Sequence, residues 1–268
     1  LSGRIKDKRV VRLIHAYLKA GAMEDGIASV NREGTPQGGP LSPILSNILL
    51  DKLDKELESR GDRFIRYADD ICVFVKSKRS SLRVLTSIST YIEEELKLEV
   101  NRHKSEATRP WKSRLLGYSF YHKKGEKGLK IAPKSIVKYK SRVREITSRS
   151  KPYAIYKRYE LLRQLNRGWM QYYKLNEAKS LLSDLDKWVQ RRLRQCYWKQ
   201  WRLPRTKVAM LIKLGTPNWQ AYQWGNTRKG SWRISGSAIL QRALNNSLLK
   251  REGYLSLSEL STLPNALF

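Results

Sequence analysis

Two adjacent acids, Asp69 and Asp70, stand between short β-rich apolar runs, residues 64–67 before them and 71–75 after. Neighbouring carboxylates repel, and the flanking apolar runs favour burial, so a compensating charge is expected. A divalent cation would supply it. Mg²⁺ takes oxygen ligands, commonly one or two carboxylates plus substrate phosphate oxygens, and in two-metal sites it clamps the attacking and leaving oxygens. The same pair also suits a plain hairpin turn, because Asp tolerates turn geometry. Upstream, Gly34-Thr35-Pro36-Gln37-Gly38-Gly39-Pro40 places two glycines side by side, letting the backbone approach a ligand closely, with a helix start near Pro43 as support. Taken alone, that stretch is equally a surface turn. His15, His103 and His122 share no metal-ligand spacing and are given no catalytic role. The two cysteines, Cys72 and Cys196, are too few for a disulfide scaffold or a Cys-rich zinc site and suit a reducing compartment. Cys72, within an apolar run, reads as a small buried hydrophobe.

The elements that must position these groups belong to a chain of 268 residues, enough for one large domain or two smaller ones. Lys and Arg number 54 against 24 Asp and Glu, a net charge of +30, so a polyanionic partner is expected. Hydrophobic residues at 40% and aromatics at 10% exclude a disordered basic tail. Residues 1–110 hold 20 Lys/Arg and 16 Asp/Glu, net +4, whereas residues 111–268 hold 34 and 8, net +26. Seven of the eight tryptophans follow residue 168, where they could stack on bases or fill a core between basic helices. No apolar run approaches the ~20 residues of a membrane span and no signal-peptide core opens the chain, so a cytoplasmic (bacterial) or organellar, non-secreted protein is expected.

Asp7 is placed to cap a helix carrying Val10, Val11, Ile14, Tyr17 and Leu18 on its apolar face and ending at Gly21. A short strand follows over 27–32. A second helix over 43–59 would turn Leu45, Ile48, Leu49 and Leu53 inward and Asp51, Lys52, Lys55 and Glu56 outward. A third, over 80–98, carries Leu82, Leu85, Ile88, Ile92 and Leu96. Strands and a turn occupy 99–132, and the chain beyond 133 reads as mainly helical. The fold class is therefore α+β, with the helices concentrated in the second half.

Phe64-Ile65-Arg66-Tyr67-Ala68-Asp69-Asp70 resembles the YADD catalytic motif of reverse transcriptases, and residues 34–43 resemble the motif that precedes it in that fold. The resemblance implies Asp69 and Asp70 as catalytic ligands of Mg²⁺. It also implies Gln37, Gly38, Gly39, Tyr67 and Ala68 as nucleotide-binding residues, with Gln37 helping to hold the incoming nucleotide. Asn101-Arg102-His103-Lys104 is similar to the segment whose lysine acts near the leaving pyrophosphate, which makes Lys104 a third catalytic residue; a solvated basic turn would look the same. Leu115-Leu116-Gly117-Tyr118 is similar to the turn that grips the primer end, implying Leu116, Gly117 and Tyr118, although a glycine in a bulge explains Gly117 equally well.

In the second half, Leu165-Asn166-Arg167-Gly168-Trp169 with Tyr172-Tyr173, then residues 185–194 and Trp198-Lys199-Gln200-Trp201, resemble the maturase domain, or domain X, of group II intron-encoded proteins. Helical spacing over 181–201 aligns Leu181, Leu185, Trp188, Val189, Leu193 and Cys196, leaving Lys187, Arg191, Arg194 and Lys199 beyond that stripe. These four, with Arg167 and with Arg228 and Lys229 of the aromatic stretch 219–232, are the expected RNA-binding residues. A solvated helix usually mixes both signs, and the excess of 34 bases over 8 acids speaks against one here. The resemblance implies a partial reverse-transcriptase palm over 1–122, and a mainly helical thumb and maturase-specific domain over 123–268. Implied partners are group II intron RNA, an RNA template with a DNA primer, and deoxynucleoside triphosphates, with no membrane.

The family carries a further palm carboxylate on an earlier strand of the type Asp-x-x-x-aromatic. Before Gly34 the acids are Asp7, Glu24, Asp25 and Glu33, which read as a helix cap and polar turns. The chain is accordingly expected to begin just after that strand, with an upstream fingers and palm fragment as a further partner. Two functions stay open: an RNA-directed DNA polymerase working by two-metal phosphoryl transfer, and a maturase-only splicing cofactor.

Overall fold

Asp7 accepts a hydrogen bond from the Arg9 backbone N–H at 2.8 Å and caps helix α1, Lys8–Lys19. The structure, a computed structural model, describes residues 5–19, 22–24, 27–29, 41–123, 125–148 and 150–263. The chain divides into two units, Leu1–Thr108 and Arg109–Phe268.

In the first unit a short antiparallel pair, β1 (Ala22–Glu24) with β2 (Ile27–Ser29), follows α1. Helix α2, Ser42–Ser59, has Pro43 in its first turn, where the missing N–H costs no hydrogen bond. The hairpin β3 (Arg63–Tyr67) and β4 (Asp70–Phe74) comes next, then α3 (Lys78–Glu94), whose N-cap Ser77 accepts from the Ser80 N–H at 3.1 Å. A small core gathers Leu53 and Leu57 of α2, Ile88 of α3 and Leu96, flanked by Leu50, Phe64, Ile71 and Val73.

Three sequence expectations are corrected here. Leu49 is exposed and α2 instead buries the Leu50, Leu53, Leu57 line, because the hairpin and α3 cover that face. Helix α3 stops at Glu94 rather than 98: Lys97 adopts φ +55°, and the Leu96 and Leu98 amides turn back onto the Tyr91 and Ile92 carbonyls. Leu82 is likewise exposed.

The second unit starts its regular structure with the antiparallel hairpin β5 (Tyr118–Lys123) and β6 (Glu126–Ile131). Three long helices follow, α4 (Pro133–Ile146), α5 (Ile155–Tyr172) and α6 (Lys179–Gln200). Among the described residues six shorter ones follow: α7 (Pro204–Lys213), α8 (Asn218–Gly225), α9 (Ser231–Ser235), α10 (Ala238–Ala243), α11 (Asn246–Arg251) and α12 (Leu257–Leu260). One core packs Tyr139, Val143, Tyr159, Leu162, Met170, Leu185, Val189 and Leu193 against Leu257 and Leu260; a second packs Trp198 and Trp201 against Val208, Leu211, Ile234 and Leu240. Helix α6 runs through both. It is therefore enclosed on several sides, and the single apolar stripe expected from spacing omits its buried Asp186, Gln190 and Arg194.

Buried polar side chains fasten this unit. Asp186 accepts from the Tyr254 hydroxyl at 2.6 Å, the Ser256 hydroxyl at 2.8 Å, the Ser258 hydroxyl at 2.7 Å, and the backbone N–H groups of Leu257 and Ser258 at 2.8 and 2.9 Å. It thereby holds the start of α12, placing a negative charge where free helix N–H groups point. Asn166 accepts from Tyr139 at 2.8 Å and donates to the Leu255 carbonyl at 2.7 Å, and Asn176 accepts from the Ile131 N–H at 3.2 Å. Burial pushes the Tyr139 and Tyr254 phenols up, the Asp186 charge adding to both.

Candidate active site and nucleic-acid interface

The β3–β4 hairpin closes with Tyr67 opposite Asp70, leaving Ala68 and Asp69 as its two turn residues. Ala68 takes φ +52°, which for a non-glycine residue costs on the order of 1 kcal/mol. Arg66 holds the turn in that shape. Its Nη1 donates to the Ala68 carbonyl at 3.0 Å and to Asn47 of α2 at 2.8 Å, while its Nε meets Asp54 at 2.7 Å and its Nη2 grips the other Asp54 oxygen. This pair is largely shielded, and the Asp54 hydrogen bond drives the Arg66 pKa upward. One arginine thus ties the strained turn to α2.

Asp69 and Asp70 are both exposed at the hairpin tip, and neither forms an ion pair among the described residues. Two adjacent solvent-facing carboxylates with no soft ligand fit a hard cation that draws its other ligands from water or phosphate. Among the described residues no third Asp, Glu, His or Cys groups with them. Tyr67 is 61% exposed beside the tip. Cys72, on the strand leading from it, is half-buried, and burial followed by the Asp70 charge pushes its thiol up. Gln37, Gly38 and Gly39 lie outside the described residues. Lys104 is exposed in a turn whose backbone is set by Asn101, its N–H meeting the Asn101 carbonyl at 3.1 Å and side chain at 3.2 Å.

Leu115 and Tyr118 exchange both backbone hydrogen bonds, at 3.1 and 2.9 Å, around Leu116 and Gly117, whose φ values are +52° and +75°. Positive φ at both central residues marks a tight primed turn. Whereas one arginine holds the acidic tip, this turn is docked on several groups. The Gly117 carbonyl accepts from the Ala132 N–H at 2.9 Å and the Ser135 hydroxyl at 3.1 Å, and the Leu116 carbonyl from the Tyr172 hydroxyl at 3.0 Å. The Tyr118 hydroxyl returns to the Tyr172 carbonyl at 2.7 Å. A Cβ at Gly117 would lie 2.5 Å from the Tyr173 hydroxyl, so both space and φ require glycine.

Among the expected RNA-binding residues, Arg167, Lys187, Lys199, Arg228 and Lys229 are exposed. Arg194 departs from expectation. It is buried, its Nε donating to the Leu244 carbonyl at 2.8 Å and its Nη2 to Asn246 at 2.6 Å, so it ties α6 to the end of α10 and the start of α11 and has no phosphate-facing surface. Burial also lowers its pKa. Arg191 is half-buried, its guanidinium 4.1 Å from the Trp232 ring centroid and its Nη2 donating to the Trp232 carbonyl at 3.0 Å. Surface cations the sequence did not single out include Lys140 and Arg144, both over the Trp188 ring at 5.6 and 5.5 Å. The spacing of 140, 144 and 188 carries no signal of that contact, which arises from α4 packing beside α6.

Residues 4–120 match the family described as reverse transcriptase (RNA-dependent DNA polymerase), and residues 136–213 match the group II intron, maturase-specific domain. Protein YkfC of Escherichia coli is 29% identical over 136 residues, covering 38% of this chain and 36% of its own length. Group II intron-encoded protein LtrA of Lactococcus lactis is 46% identical over 63 residues, 22% of this chain and 10% of its own. The putative COX1/OXI3 intron 2 protein of Saccharomyces cerevisiae is 27% identical over 163 residues, 39% of this chain and 19% of its own. The matched segments thus span well under half of these relatives. No helix among the described residues is long and apolar enough to cross a membrane.

Proposed function

Because the chain belongs to the group II intron-encoded reverse transcriptase/maturase family, we propose that it binds group II intron RNA through its helical unit and presents a nucleotidyl-transfer site at Asp69 and Asp70. In this reading residues 1–122 serve as a partial palm and 123–268 as thumb and maturase domain. The observation that carries it is the acidic tip: two exposed carboxylates on a strained turn that Arg66 fastens to α2. Such an arrangement is costly as a mere loop and suited to pre-organised ligation.

Asp69 and Asp70 would hold Mg²⁺, which when bound supplies charge neutralisation to phosphate oxygens. Arg66 fixes the turn, Tyr67 and Ala68 are the nucleotide contacts beside the two acids, and Gln37, Gly38 and Gly39 are the further nucleotide-binding residues of this reading. Lys104 supplies a proton-bearing ammonium for the departing pyrophosphate. The Leu116–Tyr118 turn, rigid through its bonds to Tyr172 and Ser135, holds the primer end. Template, primer and deoxynucleoside triphosphates are the corresponding substrates.

A maturase-only role is the second reading, favoured by the absence of a third metal-ligating side chain grouped with the two acids among the described residues. Templated primer extension and group II intron splicing, measured together for the chain and for Asp69→Ala/Asp70→Ala, separate the two. Incorporation lost in the variant while splicing persists supports the polymerase. Splicing without incorporation in either protein supports the maturase-only role, and neither activity in either protein overturns both.

A further inference from the structure

A cavity of about 550 Å³ opens between Trp111, the second half of β5, the strand β6 and the N-terminus of α6, within the second unit. Its wall carries two aromatic rings, Trp111 and Tyr121, and its rim the bases His122, Lys130 and Lys179 with one acid, Glu177. Trp111 is 43% exposed and lies 5.3 Å from the Arg109 guanidinium, a stack that steadies an otherwise free indole. Glu177 is held by its backbone N–H, which bonds the Leu129 carbonyl at 3.0 Å, and its carboxylate accepts from the Tyr121 hydroxyl while keeping further acceptor capacity. Gly128 admits its carboxylate, since a Cβ there would fall 1.9 Å from a Glu177 oxygen. The 22-residue α6 begins at this cavity with no side chain capping it.

These groups match the parts of one nucleotide. Aromatic faces stack bases of any identity, whereas lysines together with an uncapped long-helix N-terminus attract phosphate. The carboxylate is the selective element. It accepts hydrogen bonds only, so it favours a base edge bearing an exocyclic amine and disfavours a ligand that is anionic throughout. A base inside a duplex has its edge and faces occupied, so the occupant must be unpaired. We propose that this cavity captures one unstacked, amine-bearing nucleotide of single-stranded RNA, with its base against Trp111 and Tyr121, its amine at Glu177 and its phosphate at Lys130, Lys179 and the start of α6. The proposal rests on the RNA-binding reading above and adds to it a site and a base preference.

The test uses the whole chain with pentamers of adenosine, cytidine and uridine, alongside group II intron RNA. The unsubstituted protein is expected to bind the adenosine and cytidine pentamers more tightly than uridine. Trp111→Ala should weaken them roughly tenfold, in the range of one lost base stack, and Trp111→Tyr should restore binding. Glu177→Gln should erase the preference against uridine, because an amide both donates and accepts. Circular dichroism checks that each variant is folded. Intron binding with no pentamer binding, or pentamer binding unchanged in Trp111→Ala, overturns the cavity assignment alone. Failure to bind any RNA overturns the functional reading and this inference with it.

Discussion

The turns at Ala68-Asp69 and Leu116-Gly117 reach positive φ by opposite means. At the acidic tip Ala68 is exposed, and one arginine holds the turn from below while both carboxylates face solvent. At Leu116–Gly117 the carbonyls are engaged by Tyr172, Ser135 and Ala132, and an aromatic cluster of Tyr118, Tyr172, Tyr173 and Trp169 surrounds the turn. The contrast extends to the units that carry them. The first has a thin core and leaves Asp69 and Asp70 exposed with no ion pair among the described residues, whereas the second buries its key acid, Asp186, among five donors. A carboxylate that chemistry uses must remain under-satisfied by the protein; one that architecture uses must not.

Removing acids from each unit should separate these roles most sharply. Asp186→Ala leaves several buried donors without an acceptor and is expected to cost about 3 kcal/mol or more, read by denaturant unfolding. Asp69→Ala and Asp70→Ala, at exposed positions, should shift stability by no more than about 0.5 kcal/mol while removing any templated incorporation. Equal destabilisation by all three would erase the distinction.

The arginines of α6 sharpen it next. Arg194→Glu places a carboxylate against the Leu244 carbonyl in a buried site and should destabilise by roughly 3 kcal/mol, whereas Lys187→Glu on the same helix should leave unfolding nearly unchanged and weaken RNA binding. At the turns the signs should be opposite. Gly117→Ala should cost about 1–3 kcal/mol through φ and overlap with Tyr173, while Ala68→Gly relieves φ strain and should change stability by less than about 1 kcal/mol, in the favourable direction.

Alkaline pH tests the buried phenols of the second unit. Burial raises the phenols of Tyr139, Tyr159 and Tyr254, so above the ordinary tyrosine range the unfolded chain releases protons that the folded one retains. Stability should therefore be intact below about pH 10 and fall as pH rises further, with near-ultraviolet absorbance reporting abrupt rather than gradual ionisation of these residues.

Much of the first unit was legible because its signals are local. Asp7 and the proline at the start of α2 mark helix starts, and β-rich runs around Asp69-Asp70 mark a hairpin whose strand limits differ by a residue or so. Leu49 misled because periodicity gives a face to within one position but not which neighbour covers it. Helix α6 misled for a different reason. Asp186, Gln190 and Arg194 occupy buried positions, and hydrophobic patterning sorts such residues outward. The partners of Asp186 and Arg194 lie far along the chain, 50 residues for Arg194 to Leu244 and 70 for Asp186 to Ser256, so no short window could reveal them. The cavity at Trp111 and Glu177 was hidden likewise, since its walls come from three separate segments.

Charge should divide the molecule as burial does, because net charge is +4 over residues 1–110 and +26 over 111–268. Binding of group II intron RNA across a range of salt concentrations, for the chain and for Asp69→Ala/Asp70→Ala, tests this division directly. The expected result is a steep fall in affinity with salt, with log–log slope of about −0.7 to −0.9 per phosphate neutralised, and superimposable curves for the two proteins. A flat salt response, or loss of RNA binding on removing the two acids, would contradict it.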